Sequence, residues 1–176
     1  EESYRRHEGQ YLSTSVLALV FSLGVGILSG RAAFLFLLAM STLGILYNAQ
    51  LAPSGWPFRS IRDLPGSKNI TVAFAWAAIA AVLPPVAEKM PLTETTAVSF
   101  AFIFGIVFVR SVLSDLLGVQ SDKLVGKKTI PVLIANDRTQ QLLNTISLTL
   151  VVMLAAATTL VRTVSLSYFL IIPVIY

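Results

Sequence analysis

The run TAVSFAFIFGIVFV (Thr96–Val109) passes without a break into RSVLSDLLGVQSDKLVGKKTIPVLI (Arg110–Ile134). The first half carries no charge and reads as a helix buried in hydrocarbon. The second half crowds carboxylates, lysines and glycines onto that helix's end. Ionisable groups are expensive inside a bilayer, so Arg110, Asp115 and Asp122 mark where the helix leaves the lipid or lines a polar cavity. At 100° per residue, Ser111, Asp115 and Asp122 fall within about 40° of one another, and Arg110 points well away. If the helix is unbroken, Asp115 and Asp122 stand two turns apart on one face, with roughly 10 Å of rise between them. Thr129-Ile130-Pro131 then reopens an apolar helix, with Thr129 as N-cap and Pro131 in its first turn. A plainer reading stays open, in which the aspartates are solvated residues at a helix end and the lysines follow the positive-inside rule.

The whole chain supports the membrane reading. Of its 176 residues 55% are hydrophobic and only 12% charged, where a soluble domain carries about twice that charged fraction. Mean hydropathy is +0.77. There is no cysteine, which excludes a disulfide framework and a thiolate metal or redox site. The lone His7 cannot build a histidine metal cluster. The net charge of +4 does not point to nucleic acid, because the basic residues lie between apolar runs, where they set topology.

Taken in order, the hydropathy predicts an all-α polytopic bundle, a single transmembrane domain over residues 1–176 that looks cut at both ends. Spans are expected at Leu12–Ser29, Ala32–Tyr47, Ile70–Val86, Thr96–Leu113 and Gln141–Leu160, and a sixth begins at Ser165–Tyr176. Gly24, Gly26 and Gly30 are expected to let a neighbouring helix approach closely. Between the second and third spans lies a long polar connection, 48–69, with Arg59, Arg62, Asp63 and Lys68 among prolines and glycines. Loops of that length are uncommon in compact folds and often functional. Trp56 and Phe58 read as interfacial anchors, and Ser67 as an N-cap of the helix that follows. Arg5, Arg6, Arg59, Arg62, Lys68, Lys123, Lys127, Lys128 and Arg138 fall on one side of this topology, and only Arg31, Lys89 and Arg162 on the other. The first side is expected to be cytoplasmic. Both polar loops then open on one face, above an apolar cavity between the helices.

The order D-L-L-G-V-Q-S-D-K-L-V-G-K-K-T-I-P resembles the second aspartate-rich motif of the UbiA superfamily of intramembrane prenyltransferases, D-x-x-D-x-x-x-D-(R/K), a glycine, then T-(L/I)-P. Asp115 matches the first Asp, Asp122 the last, Lys123 the basic residue, Gly126 the glycine, and Thr129-Ile130-Pro131 the closing triplet. Gly118 stands where the middle Asp belongs. The resemblance implies a UbiA-like fold of which about six helices, the third through eighth of an expected nine, are present here. The family's first motif, N-D-x-x-D-x-x-x-D, would precede Glu1. Tyr47 resembles the tyrosine that closes the fourth family helix, although the usual Y-P-x-x-K-R reads Y-N-A-Q-L-A here, so Arg59, Arg62 or Lys68 would supply the charge.

What the resemblance implies chemically is Mg²⁺-dependent transfer of a prenyl group from a prenyl diphosphate to a hydrophobic aromatic or lipid acceptor within the bilayer. Asp115 and Asp122 would be the catalytic carboxylates that hold metal. Lys123, Arg62, Lys68 and Tyr47 would face the diphosphate. Two carboxylates about 10 Å apart are too distant to ligate one Mg²⁺ at ~2.1 Å, but they can flank a diphosphate with its metals. The alternatives are a non-catalytic member of the same fold, retained as a subunit of a larger membrane complex or as a lipid or quinone binder, and a transporter with charges near its helix breaks. Gly118 supports the first of these.

Overall fold

The computed structural model describes residues 8–49, 60–64, 66–119, 130 and 136–160 of the chain. These residues form five helices: α1 (Glu8–Ser29), α2 (Arg31–Asn48), α3 (Ser67–Ala87), α4 (Glu94–Leu117) and α5 (Asn136–Leu160). A single 3₁₀ turn, Ile61–Asp63, precedes α3, and there is no strand among the described residues. Each of the first five expected spans lies inside one of these helices, and the expected sixth lies outside the described residues. The helices overrun the hydropathy limits, α3 starting at Ser67, α4 ending at Leu117 and α5 starting at Asn136. Hydropathy marks where the side chains cease to be apolar, whereas the backbone stays helical for as long as its hydrogen bonds are satisfied internally.

Four of the helices are long and apolar enough to cross a bilayer, and Arg31–Tyr47 forms a shorter apolar helix. At 1.5 Å per residue, a span of 21 residues reaches about 31 Å, the thickness of a hydrocarbon core. The outward faces agree with this. Leu17, Phe21, Ile27 and Leu28 of α1 are exposed, Leu28 by 88%, as are Trp76 of α3 and Leu148 and Val152 of α5. Surfaces of this kind are stable against lipid tails rather than water. The chain is therefore an integral membrane helix bundle.

Packing places α4 at the centre, against α3 on one side and α5 on the other; α1 packs on α2, and α2 on the end of α3 and on the 3₁₀ turn. The α1–α2 hairpin turns on Gly30 alone, at φ 118°, a conformation open to glycine. A Cβ at Gly26 would lie 2.9 Å from Leu37 Cδ1 and 3.3 Å from the Phe34 Cα, so this glycine does bring α2 close. Among the described residues nothing lies within 4 Å of a Cβ built at Gly24. Midway along α3 the backbone widens into a π turn at Ala78–Val82, directly before Pro84-Pro85. Those prolines donate no N–H and their rings crowd the carbonyls of Ala80 and Ala81, so the helix opens there rather than breaking. It ends in a Schellman arrangement in which the Met90 N–H donates to the Pro85 carbonyl (2.8 Å) and the Lys89 N–H to that of Val86 (3.3 Å).

The core joins α3, α4 and α5 through Ala73, Phe108, Val112 and Leu143, flanked by Phe104, Val107, Ile130 and Ile146. Along α4 the buried stripe reads Phe102, Gly105, Phe108, Val112, Asp115. Its last member is a carboxylate.

Candidate functional site

Asp115 lies in the final turn of α4 with its side chain only 7% exposed. The spacing of the stripe requires this, because a residue three places beyond the buried Val112 faces the same side of the helix. A buried carboxylate needs partners, and the first turn of α3 supplies them. The Lys68 ammonium donates to Oδ1 at 3.0 Å and the Asn69 amide to Oδ2 at 3.0 Å. The carbonyl oxygen of that amide accepts from the Ser111 hydroxyl at 2.7 Å. A continuous string, Lys68–Asp115–Asn69–Ser111, thus ties the start of α3 to the end of α4. Helix dipoles favour the pairing: Asp115 stands at the positive end of α3, and Lys68 at the negative end of α4.

The entry to α3 fixes where Lys68 and Asn69 point. Gly66 is its N-cap at φ 75°, ψ −8°, and its carbonyl accepts from the N–H groups of Asn69 (3.1 Å) and Ile70 (3.3 Å). Ser67 is therefore the first helical residue and not the expected cap. Its buried hydroxyl instead lies 3.4 Å from the Tyr47 hydroxyl and 3.5 Å from the Arg62 carbonyl oxygen. The left-handed backbone makes the glycine necessary, and a Cβ there would also stand 3.1 Å from Ile130 Cγ1. Gly66→Ala is expected to destabilise the protein by about 1–2 kcal/mol, read from thermal unfolding in detergent. An unchanged melting temperature would show that this turn does not set the register of α3.

Of the residues expected in the site, Tyr47, Arg62, Lys68 and Asp115 come together at one end of the bundle, where α2 ends, the 3₁₀ turn lies, α3 begins and α4 ends. The Arg62 side chain is exposed there, as is that of Arg110. Asp122 and Lys123, together with Arg59, Trp56, Phe58, Lys127, Lys128, Thr129 and Pro131, lie outside the described residues. The premise of an unbroken helix from Asp115 to Asp122 does not hold. α4 ends at Leu117, with Gly118 as C-cap at φ −92°, ψ 4°, its N–H donating to the Ser114 carbonyl at 3.2 Å. Ser111 and Asp115 therefore share a face of α4, which ends before Asp122.

Asn69 was missed as a site residue. It is 1% exposed, and the signal for it was its spacing: Asn69, Ala73 and Ala77 recur every four residues along the buried face of α3, so the amide had to point inward.

Beyond the polar string, the buried residues described are apolar apart from Ser67 and Thr139. Phe100, Phe104 and Phe108 stack at one-turn intervals along α4, with centroids 6.4 and 6.2 Å apart, and Phe74 meets Phe100 edge-on at 5.7 Å. A groove of about 510 Å³ opens beside this ladder, between Ile70 of α3, Ala101, Phe104, Gly105 and Phe108 of α4, and α5. Phe108 and Asp115 lie on the same stripe, about 10 Å apart along α4, and on α3 Ile70 of the groove directly follows Asn69 of the charged string.

No family model, curated protein or solved structure matches this chain. The site is read from its own chemistry. Among the described residues no three His, Cys, Asp or Glu side chains come together, so Asp115 contributes a single carboxylate. The oxygens of Asp115, Asn69 and Ser111 are hard donors of the type Mg²⁺ takes, with no nitrogen or sulfur ligand among them. Each carboxylate oxygen accepts one described hydrogen bond and keeps capacity for more. The cation that meets this carboxylate is the Lys68 ammonium.

Proposed function

We propose that this chain handles a prenyl diphosphate within the membrane, as a UbiA-like prenyltransferase that moves the prenyl group to an aromatic or lipid acceptor. The observation that carries the reading is the placement of one buried carboxylate and an exposed lysine at the end of an aromatic-lined groove, where the D…DK…G…TIP sequence begins. A charged head beside an apolar trough matches an amphiphile with a diphosphate at one end and an isoprenoid chain at the other. In this reading Asp115 and Asp122 hold Mg²⁺, which when bound neutralises charge on the departing diphosphate. Lys68, Lys123 and Arg62 bind the head, with Tyr47 beside them. The phenylalanine ladder orients the chain and keeps water from the allylic carbon. The aspartate loop faces the cytoplasm.

A second reading, a non-catalytic member of the same fold that binds lipid or quinone, is favoured by Gly118 and by the neutralisation of Asp115 by Lys68. One assay separates the two. The intact protein, in nanodiscs with a prenyl diphosphate and an acceptor extract, is expected to release diphosphate only with Mg²⁺, and Asp115→Ala or Asp122→Ala should lower the rate at least about 100-fold. Inactivity of the wild type, with activity gained in Gly118→Asp, would assign it to the non-catalytic class. Gly118 has negative φ, so its backbone accepts an aspartate without strain. Thiol labelling of Leu124→Cys from the outer face alone would overturn the orientation.

A further inference from the structure

Arg110 is the charge that the polar string leaves aside. It belongs to α4, a helix of 24 residues whose first, Glu94, is charged and exposed. A hydrocarbon core about 30 Å thick that starts at Glu94 ends near Ser114. Arg110 thus stands about 6 Å inside it, within the reach of a long side chain that bends back to the interface. Its flank of the helix is exposed, Leu113 by 45% and Leu117 by 84%, with Ser114 beside them. An arginine on a lipid-facing surface at this depth is costly unless an anion meets it. Among the described residues none does. Asp115 lies about 140° around α4 from Arg110 and accepts instead from Lys68 and Asn69. The Ser114 hydroxyl, one turn beyond Arg110, also has no partner among the described residues.

We propose that Arg110 and Ser114 hold the phosphate of an anionic phospholipid against the outer face of α4. The guanidinium offers two parallel N–H donors to the phosphate oxygens, and Ser114, at i+4 on the same face, adds an O–H. From there the acyl chains descend past Leu113, Ile106 and Ile103, which succeed one another along that flank. Net charge selects the lipid. The choline of a zwitterionic head offsets its own phosphate, whereas a glycerol head leaves the phosphate charge for the arginine. An anionic lipid should therefore be favoured about fivefold, the contribution of one basic residue at such a surface. The groove is lined by the opposite flank of α4, through Phe104, Gly105 and Phe108, so the lipid sits on the bundle whatever the groove holds.

The chain has no cysteine, so a single Leu117→Cys places a fluorophore one turn beyond Ser114 on the intact protein. In liposomes, its quenching by phosphatidylglycerol with brominated chains is compared with that by brominated phosphatidylcholine. With Arg110 in place the probe should report about a fivefold local excess of phosphatidylglycerol. Arg110→Gln should abolish the excess, and Arg110→Lys, which keeps the charge but not the fork, should leave about twofold. Quenching by phosphatidylcholine should be unchanged in both variants, because the surface itself stays in place. A fluorophore at Leu148→Cys, on the lipid-facing side of α5 (66% exposed), should report equal access of the two lipids throughout. No excess at Leu117→Cys overturns the proposal, as does an excess that survives Arg110→Gln or appears equally at Leu148→Cys. Loss of the excess on adding glycerol phosphate to the water phase would assign the arginine to a soluble anion and overturn the lipid. If Arg110 instead pairs with a carboxylate outside the described residues, phosphatidylglycerol shows no excess and Arg110→Gln unfolds more readily in phosphatidylcholine alone, which overturns it too.

Discussion

Asn69→Leu is expected to destabilise the bundle by about 3 kcal/mol, measured by reversible unfolding in SDS, although it exchanges a polar residue for an apolar one of similar size inside a membrane protein. Asn69 is 1% exposed and donates to the Asp115 carboxylate at 3.0 Å. A hydrogen bond to a charged group contributes about 1.5–3 kcal/mol, and a buried charge that loses a donor bears the desolvation cost as well. Ser111 loses its acceptor too, but its hydroxyl can turn to the carbonyl one turn back along α4, so its share is small. The carboxylate is thus the source of the loss. A second substitution tests that assignment: Asp115→Leu in the Asn69→Leu background should recover at least about half of the stability, because an apolar pair of the same volume replaces a half-satisfied charged one. Lys68, already 64% exposed, is then free to meet water. An Asn69→Leu protein within about 0.5 kcal/mol of the wild type would mean that the amide contributes nothing to holding Asp115.

The sequence made the spans readable because apolar length is a direct demand of the bilayer, and the spans from Leu12–Ser29 to Gln141–Leu160 all fall within described helices. Asp115 was legible for a related reason. A carboxylate continuing an uncharged helix is costly unless it is paired, so its presence announces partners. Which partners was another matter. Lys68 and Asn69 precede Asp115 by 47 and 46 residues, and no local periodicity connects the first turn of α3 to the last turn of α4. The end of α4 was also misjudged. Counting 100° per residue through Gly118 assumed a helix that stops at Leu117, because angular arithmetic carries no information about where the backbone leaves the helix. Ser67 shows the same limit, since the preference of serine for caps gave way to the left-handed Gly66 one residue earlier.

The second large effect is expected at Gly105, where α4 and α5 touch. A Cβ built there would stand 2.6 and 2.8 Å from the two Cδ atoms of Leu150 and 3.1 Å from its Cγ. Gly105→Val should therefore destabilise the protein by about 3 kcal/mol. A rotation about χ2 would carry the Cδ atoms of Leu150 away but leave the Cγ in place. Relief thus requires Leu150 to change χ1 and enter the groove that both residues line, or α5 to move outward. If the side chain swings, the groove narrows; if the helix moves, the core of Phe108, Val112 and Leu143 loosens. Leu150→Ala alone should cost about 2–4 kcal/mol through the space it leaves, yet in the Gly105→Val background it should restore stability, because the valine then occupies that space. A sum of the two single effects in the double variant would show that the residues do not share this contact. The substitution also separates the parts of the proposed ligand site. Asp115 lies about 15 Å further along α4, so Gly105→Val should leave the binding of inorganic diphosphate with Mg²⁺ unchanged. Farnesyl diphosphate, whose chain needs the groove, should bind at least about tenfold more weakly, since filling the groove removes burial worth roughly two methylene groups or more. Equal weakening of both ligands would mean that the clash reaches the polar end, and that the groove is not where the chain lies.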